Sequence, residues 1–482
     1  MMNDGISARL PRSLEEMEQR LNRDINDDMH CRFFRVYRRE AAVYFVDGMV
    51  SADFLQHYLL TPCLAHAGDA LPGEEATSLE ALSPLLDASR ADTYRDAVRK
   101  MMNGHAVVMM DGMPCAVCFD VRAYVRRSVS QPLTESVVSG PHQGFNESIR
   151  DNITLIRRIL PTPQLISEMR VIGEGCPVSL CLMYLRDAVD PSSLDRLKSR
   201  LDSLRVDHVL SIGALEQLLE DNPYALLPQC CLTERPDRAA SFLREGQMVL
   251  VLDGAPQILC MPVSILHLIH TPDDTSLHWQ YGTFLRLIRL MGAAVTLLLP
   301  VTLLTAILES QAAVPLSIPM EMLLMLLMFN LIGEAATRVP GVVGSSLGTV
   351  SGLILGQAAV EAKLVHPLLI IVVAVASLGS YAVPDYSLGL ACRIAQLLFL
   401  AVASVFGLYG MVLCLGAAAI RLCGMRSLGS PFAAPLSPDR THNPDVFLRA
   451  PLWRQRLRAW LANPRRMERI TGPMRGFDRR RK

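Results

Sequence analysis

The sequence predicts an α/β cytoplasmic domain built from two duplicated subdomains, followed by an all-α multi-span membrane domain. Three observations lead there. Between Phe284 and Cys423 the chain carries runs of Leu, Val, Ala and Met, several long enough to cross a hydrocarbon layer of about 30 Å, which takes roughly 20 apolar residues. Ahead of them, residues 40–275 alternate short β-branched runs with helical periodicities, and one strand-turn-strand pattern occurs twice. Behind them, from Arg421 to Lys482, 15 Arg and Lys stand against 4 Asp and Glu. The implied boundaries are 1–140 and 141–280 for the two subdomains, 281–425 for the membrane domain and 426–482 for a basic tail.

The duplication rests on two pairs of segments. Residues 107–121 (VVMMDGMPCAVCFDV) and 248–263 (MVLVLDGAPQILCMPV) share an apolar strand, an Asp-Gly turn, a proline and a second apolar strand. Asp-Gly between two such runs signals a hairpin, because a tight turn needs the positive φ that these residues tolerate. Upstream, residues 42–60 and 180–204 each read as a strand, an acidic turn and an amphipathic helix, the second opened by Asp190-Pro191-Ser192-Ser193. Between the copies, residues 144–170 predict a hinge helix with Ile149, Ile153, Ile156 and Leu160 on one face and Arg150, Arg157 and Arg158 elsewhere.

Charge balances overall, with 47 basic and 47 acidic residues, so the tail's net of about +11 is offset by the rest of the chain. A basic tail beside a membrane span reads as cytoplasmic and held near anionic lipid headgroups. Residues 1–30 contain no apolar signal core, so the first membrane segment is expected to direct insertion and to leave the soluble region in the cytoplasm. The 12 cysteines follow no disulfide framework and lie in apolar stretches, as at Cys181, Cys260 and Cys414. They read as small buried hydrophobes. Cys115 and Cys118 form a lone C-x-x-C, which cannot complete a tetrahedral metal site.

Five apolar segments emerge at 287–308, 320–333, 341–360, 364–383 and 395–420. Arg286 and Arg289 precede the first and the basic tail follows the last, so the positive-inside rule requires an even number of crossings. Four spans and one interrupted element satisfy it, the interruption being expected in 320–333 or 341–360. Gly341, Gly344, Gly348, Gly352 and Gly356 recur every three or four residues and are expected to pack helices closely or mark the broken element. Ionisable groups in such segments usually face a bundle interior or a water path. The candidates are Asn330, Glu334 and Arg338; Gln357, Glu361 and Lys363; and Asp385 with Arg393.

Ordered along the chain are GFNESIRDNITLIRR (144–158), TERPD (Thr233, Glu234, Arg235, Pro236 and Asp237), LREGQMVLVLDGAPQILCMPV (243–263), GTFLRLIRL (282–290), GQAAVEAKLV (356–365), VPDYSLGL (383–390), RSLGSPFAAPLSP (426–438) and LRAPLW (448–453). With these the chain resembles the GerA family of spore germination membrane proteins, of the A-subunit type that includes the stage V sporulation protein AF relatives. The resemblance implies an inner-membrane protein of the spore, with the N-terminal domain and C-terminal tail cytoplasmic. It also implies a homo-oligomeric ring around an ion-conducting path, working with a transporter-like and a lipoprotein subunit to sense germinants and release ions. The second span departs from the family in being shorter and richer in methionine.

No P-loop, G-x-S-x-G, HExxH or dinucleotide fingerprint occurs. The sequence therefore points to no enzyme activity, no cofactor, no metal and no nucleic-acid partner. The leading expectation is a channel-forming subunit with 320–363 near the pore and Glu334, Gln357 and Glu361 lining it. A secondary transporter and a scaffold whose duplicated domain docks partner subunits are the competing readings, and a small ligand in the subdomain cleft is a further one.

Overall fold

The computed structural model describes residues 4–83, 86–122, 141–307, 316–338, 342–438, 448–451, 455, 457–458 and 463–469. Its contacts divide the chain into two units. The first comprises Met1–Glu220 and Leu232–Pro262 with a piece of the C-terminal tail; the second comprises Asp221–Cys231 and Val263–Gln455.

Two five-stranded sheets organise the first unit. One contains β1 (Met29–Val36), β2 (Arg39–Val46), β3 (Ala88–Ala91), β4 (His105–Met110) and β5 (Ala116–Asp120); the other contains β6 (Leu165–Ile172), β7 (Val178–Leu185), β8 (Cys231–Thr233), β9 (Met248–Leu252) and β10 (Ile258–Met261). Their orders are β1-β2-β4-β5-β3 and β6-β7-β9-β10-β8, the same path walked twice. Both Asp-Gly hairpins form, joining β4 to β5 and β9 to β10, and Gly112 and Gly254 take φ of 91° and 80°. In the first sheet apolar residues line both faces. Tyr44, Val107 and Met109 pack toward α1 (Leu10–Leu21) and α2 (Tyr94–Met101), while Val43, Val108 and Phe119 pack on the other side. This alternation is the period-two pattern of a sheet covered on both faces.

The predicted hinge helix is α3 (Ile149–Ile159), started by Ser148, whose hydroxyl accepts from the Asp151 amide. It touches a turn from each copy. Arg150 pairs with Asp47 at 3.1 Å, and a side chain at Gly48, with φ of 77°, would run into Thr154. From the other copy, the Ile149 amide donates to Asp253 Oδ1 at 3.3 Å and the Gly254 amide to the Glu147 carbonyl at 2.9 Å. Arg157, placed by periodicity away from the apolar face, is instead 1% exposed. Its guanidinium grips Asp28 at 2.5 and 2.8 Å and donates to Asn26 Oδ1 at 3.2 Å and Ser167 Oγ at 3.1 Å. Asp28 belongs to the first copy and Ser167 to β6 of the second, so one buried cation ties the copies together. A fork of donors matched to a carboxylate suits arginine for this task.

Downstream, Asp190 accepts from the Ser193 amide and so caps α4 (Pro191–Ser203) where the sequence places a helix start. Cys118, Cys181 and Cys260 are buried, and Cys414 is half-buried. Burial pushes the Cys118 thiol up to about 12, which suits packing. Cys176 and Cys423 are exposed. Among the described residues no cluster of His, Cys, Asp and Glu could hold a metal. Part of the tail belongs to this unit: the Arg465 amide donates to the Ala188 carbonyl, and Arg469 pairs with Glu245. Burial lowers Arg469 to about 10.

The second unit is helical. Short α6 (Asp273–Ser276) leads into α7 (Trp279–Ile307), followed by α8 (Ile318–Arg338), α9 (Val342–Glu361), α10 (Pro367–Tyr381) and α11 (Tyr386–Gly424). Among the described residues, Trp279–Thr302, Ile318–Ala335 and Tyr386–Gly424 are long and apolar enough to cross a membrane, and α10 is a shorter apolar helix. Each predicted segment falls on one helix. However, α8 and α9 run unbroken through 320–333 and 342–360, where an interruption was expected. Gly344, Gly348, Gly352 and Gly356 all lie within α9, and Gly341 lies outside the described residues.

The break falls in α11. Gly407 has φ of 59° and ψ of −144°, a conformation that only glycine adopts readily. A straight 39-residue helix would be about 58 Å long at 1.5 Å per residue. Instead, a Cβ on Gly410 would lie 3.0 Å from the Val402 carbonyl oxygen and 2.7 Å from Phe406 Cβ. Met411 also shares a core with Phe399, Leu400 and Ala403. The chain folds back on itself at Gly407, making α11 a helical hairpin.

Both ends of this hairpin return to the α7 side. A Cβ on Gly292 of α7 would lie 2.6 Å from Ala382 Cβ, just before α11. Beyond α11, Ser427 Oγ accepts from the Val263 amide and donates to the Gln229 carbonyl, and the Ile265 amide donates to the Phe432 carbonyl.

Breaking a buried ion pair from one side strands the other charge, at a cost of about 3–5 kcal/mol, whereas apolar replacement of both is close to neutral. Arg157→Met is expected to lower the denaturation midpoint of the soluble unit, followed by limited proteolysis of the full chain in urea. Adding Asp28→Leu to that variant is expected to recover most of the loss.

Candidate functional site

The TERPD stretch supports the soluble unit. Thr233 closes β8 and its hydroxyl accepts from the Arg235 amide at 3.1 Å. Pro236 opens α5 (Pro236–Arg244), and buried Arg235 grips Asp237 at 3.0 and 2.7 Å. The Glu234 carbonyl accepts from the Phe145 amide at 2.8 Å and its Oε1 from Gln257 at 3.2 Å. The motif thus anchors the loop before α3 to β8 and to the turn of the second hairpin.

In the helical unit, α7 and α10 meet backbone to backbone. A Cβ on Gly379 would lie 2.7 Å from the Gly292 carbonyl oxygen and 2.7 Å from Thr296 Oγ1. Thr296 Oγ1 lies 2.9 Å from the Gly292 carbonyl and 3.0 Å from that of Ala376, bridging the helices. Small residues allow such approach, and an interhelical hydroxyl reinforces it. By comparison, a Cβ on Gly352 would meet Phe329 at 3.8 Å and one on Gly356 would meet Ile370 at 3.6 Å, ordinary contact distances.

Charged groups cluster at the foot of α7. Asp274 of α6, with 0% exposure, accepts from Arg286 Nε at 3.0 Å and Arg289 Nη1 at 2.8 Å. The two arginines counted as inside-facing charges therefore also lock α6 to α7. Arg449, from the LRAPLW stretch, donates to the Leu277 carbonyl at 2.6 Å, and its amide donates to Thr283 Oγ1 at 3.1 Å. Glu321 on α8, 2% exposed, accepts from the His366 amide at 3.0 Å and so satisfies the start of α10.

Asn330 lines a small cavity with Phe329, Ala376, Ser377, Ser380, Tyr381, Arg393 and Gln396. Arg393 donates from Nε to Ser380 Oγ at 3.3 Å and lies over the Tyr381 ring, 5.3 Å from its centre. Asp385 caps α11 by accepting the Leu388 amide at 2.9 Å. Glu334 lies one turn beyond Asn330 and is exposed; the side chain of Arg338 lies outside the described residues. Gln357 donates to Glu361 Oε1 at 3.1 Å on an exposed edge of α9, and Lys363, also exposed, follows with φ of 52°. The structure thus brings Asn330 to Arg393 and Gln357 to Glu361. Sequence reasoning missed Glu321, Gln396 and the Gly292-Gly379 contact. A glutamate at the start of an apolar run and a Gly-x-x-x-Thr stretch in α7 are the signals that could have found the first and third.

Together these features define a multi-span membrane protein with a duplicated soluble domain and polar groups set within its helical bundle. The chain matches the family described as Bacillus/Clostridium GerA spore germination protein over residues 15–460 and belongs to that family. Among relatives, spore germination protein GerLA of Bacillus cereus is 31% identical over 412 residues, covering 82% of this chain and 84% of the relative. Spore germination protein B1 of Bacillus subtilis (strain 168) is 30% identical over 451 residues, covering 89% and 92%. Spore germination protein A1 of the same organism is 34% identical over 365 residues, covering 73% and 76%. The crystal structure of the N-terminal domain of the A subunit of the Bacillus megaterium spore germinant receptor GerK3 aligns with a TM-score of 0.42 at 24% identity, covering 54% of this chain and 96% of that one.

Gly379→Val is expected to lower the thermal midpoint of the detergent-purified chain by several degrees, because overpacking costs about 1–3 kcal/mol and the nearest obstacle is backbone. Gly352→Ala is expected to leave that midpoint unchanged.

Proposed function

We propose that the chain is the A-type membrane subunit of a spore germinant receptor and that copies of it assemble around an ion-conducting path. Membership of the GerA family supports the receptor role. The exposed polar edge of α9 carries the second part. Gln357 and Glu361 lie in the last turn of the 20-residue α9, pair with each other and remain exposed in the single chain. A charged group facing lipid costs several kcal/mol, and such groups usually line a water path. A ring of copies placing α9 inward gives this edge water, with Glu334 of α8 as a further lining group.

The same reading puts the soluble unit and the tail in the cytoplasm, at the spore's inner membrane. The hairpin at Gly407 supports that arrangement, since it returns the chain after α11 to the side where α7 begins and keeps the crossings even. The expected partners are a transporter-like subunit, a lipoprotein subunit and membrane lipid, with ions as the cargo and no chemical reaction catalysed.

The test is ion flux through purified full-length protein in liposomes, with oligomeric mass measured in the same preparation. Discrete oligomers that conduct, with flux altered several-fold by Glu361→Ala or Glu334→Gln, are the expected outcome. Protein that reconstitutes with its partner subunits yet conducts identically in all three forms would instead favour a scaffold.

A further inference from the structure

The cavity beside α11 has an unusual balance of charge and hydrogen bonding. Arg393 lies eight residues into α11 from its Asp385 cap, about 12 Å along a helix rising 1.5 Å per residue, within a span long and apolar enough to cross the membrane. Its hydrogen bond goes to a hydroxyl, its ring contact is Tyr381, and no carboxylate pairs with it among the described residues. Gln396, one turn further, is 3% exposed and makes no hydrogen bond among the described residues, though its side chain lines the same cavity. Asn330 reaches the cavity from α8, likewise without a hydrogen-bond partner, and Ser377 and Tyr381 add hydroxyls from α10.

Every polar group in that lining can donate a hydrogen bond, and the one charge is positive. An arginine half-buried within a membrane-crossing helix is costly without a compensating negative charge, and the buried amide of Gln396 needs a partner. A metal cation is repelled by the guanidinium, and the cavity has room for a species about the size of one water molecule. We propose that Asn330, Ser377, Tyr381, Arg393 and Gln396 form an intramembrane site for a single small monovalent anion of halide size. Water in the same place satisfies the amides but leaves the arginine uncompensated. The site joins α8, α10 and the first arm of α11, so its occupancy stabilises their packing. It is independent of the exposed edge of α9 on which ion conduction was argued.

The experiment uses the full chain in detergent, exchanged into sodium gluconate and titrated with sodium chloride or bromide at constant ionic strength. The expected result is a saturable rise in thermal midpoint with halide, together with chlorine-35 line broadening in nuclear magnetic resonance. Both are expected to vanish in Arg393→Gln. In Asn330→Ala, which removes a donor and no charge, half-saturation is expected to move to about tenfold higher halide. Should Arg393→Gln fail to fold, Asn330→Ala carries the same decision. Equal midpoints in gluconate and halide without line broadening would overturn the proposal and leave water as the occupant. A halide effect unchanged by Asn330→Ala and Arg393→Gln would overturn it too, by placing the anion elsewhere.

Discussion

The approach of α7 to α10 at Gly292 and Gly379 is the constraint on which the membrane unit depends. With no hydrophobic drive between helices in lipid, close packing and interhelical hydrogen bonds must hold the bundle. Two glycines remove the side chains that would separate the backbones, and Thr296 bridges the Gly292 and Ala376 carbonyls. That contact brings Ala382 against α7 and fixes where α11 begins. It also positions Ser380 and Tyr381 to receive Arg393. The polar cavity therefore follows from packing at the residues beside it.

The soluble unit meets a different requirement, that of joining two copies of one fold. The copies keep the same strand order, yet the helix between them meets non-equivalent turns, the one after β2 in the first copy and the one joining β9 to β10 in the second. Asp47 and Gly48 of the first and Asp253 and Gly254 of the second meet α3 through unlike contacts. Arg157 then closes the junction by finding its carboxylate in the first copy. A buried pair of this kind sets one geometry more than it adds stability, because desolvation offsets most of the attraction.

What was legible in the sequence was what local physics dictates. Apolar runs located all five long helices, and the Asp-Gly turns located both hairpins, because positive φ leaves a mark on residue type. Proline after Asp190 marked a helix start that forms as read. Partnerships between distant residues were not legible. Nothing near Arg157 announces Asp28, 129 positions away, and nothing near Glu321 announces the amide of His366. Gly407 sits in an apolar run that reads as uninterrupted helix, since one glycine is tolerated there at about 1 kcal/mol. The regular glycines of α9 drew attention by their period. Gly292 and Gly379 of α7 and α10 make closer contacts than Gly352 and Gly356 of α9, and their pairing is tertiary and leaves no period in the sequence.

On the proposed reading, the fold-back at Gly407 makes the number of membrane crossings even. A straight α11 would carry the residues after Gly424 to the membrane face opposite Tyr281, whereas the hairpin returns them. The direct measurement is labelling of introduced cysteines in intact cells with a membrane-impermeant maleimide, against the chain without them as background. Tyr281→Cys, Tyr409→Cys and Leu436→Cys serve as probes, in a chain whose exposed Cys176 and Cys423 are changed to serine. The expected result is labelling of position 409 from outside, with positions 281 and 436 reacting only after the membrane is opened. Labelling of 281 and 436 from opposite sides, or of 409 from the same side as 436, would contradict the hairpin and the even number of crossings built on it.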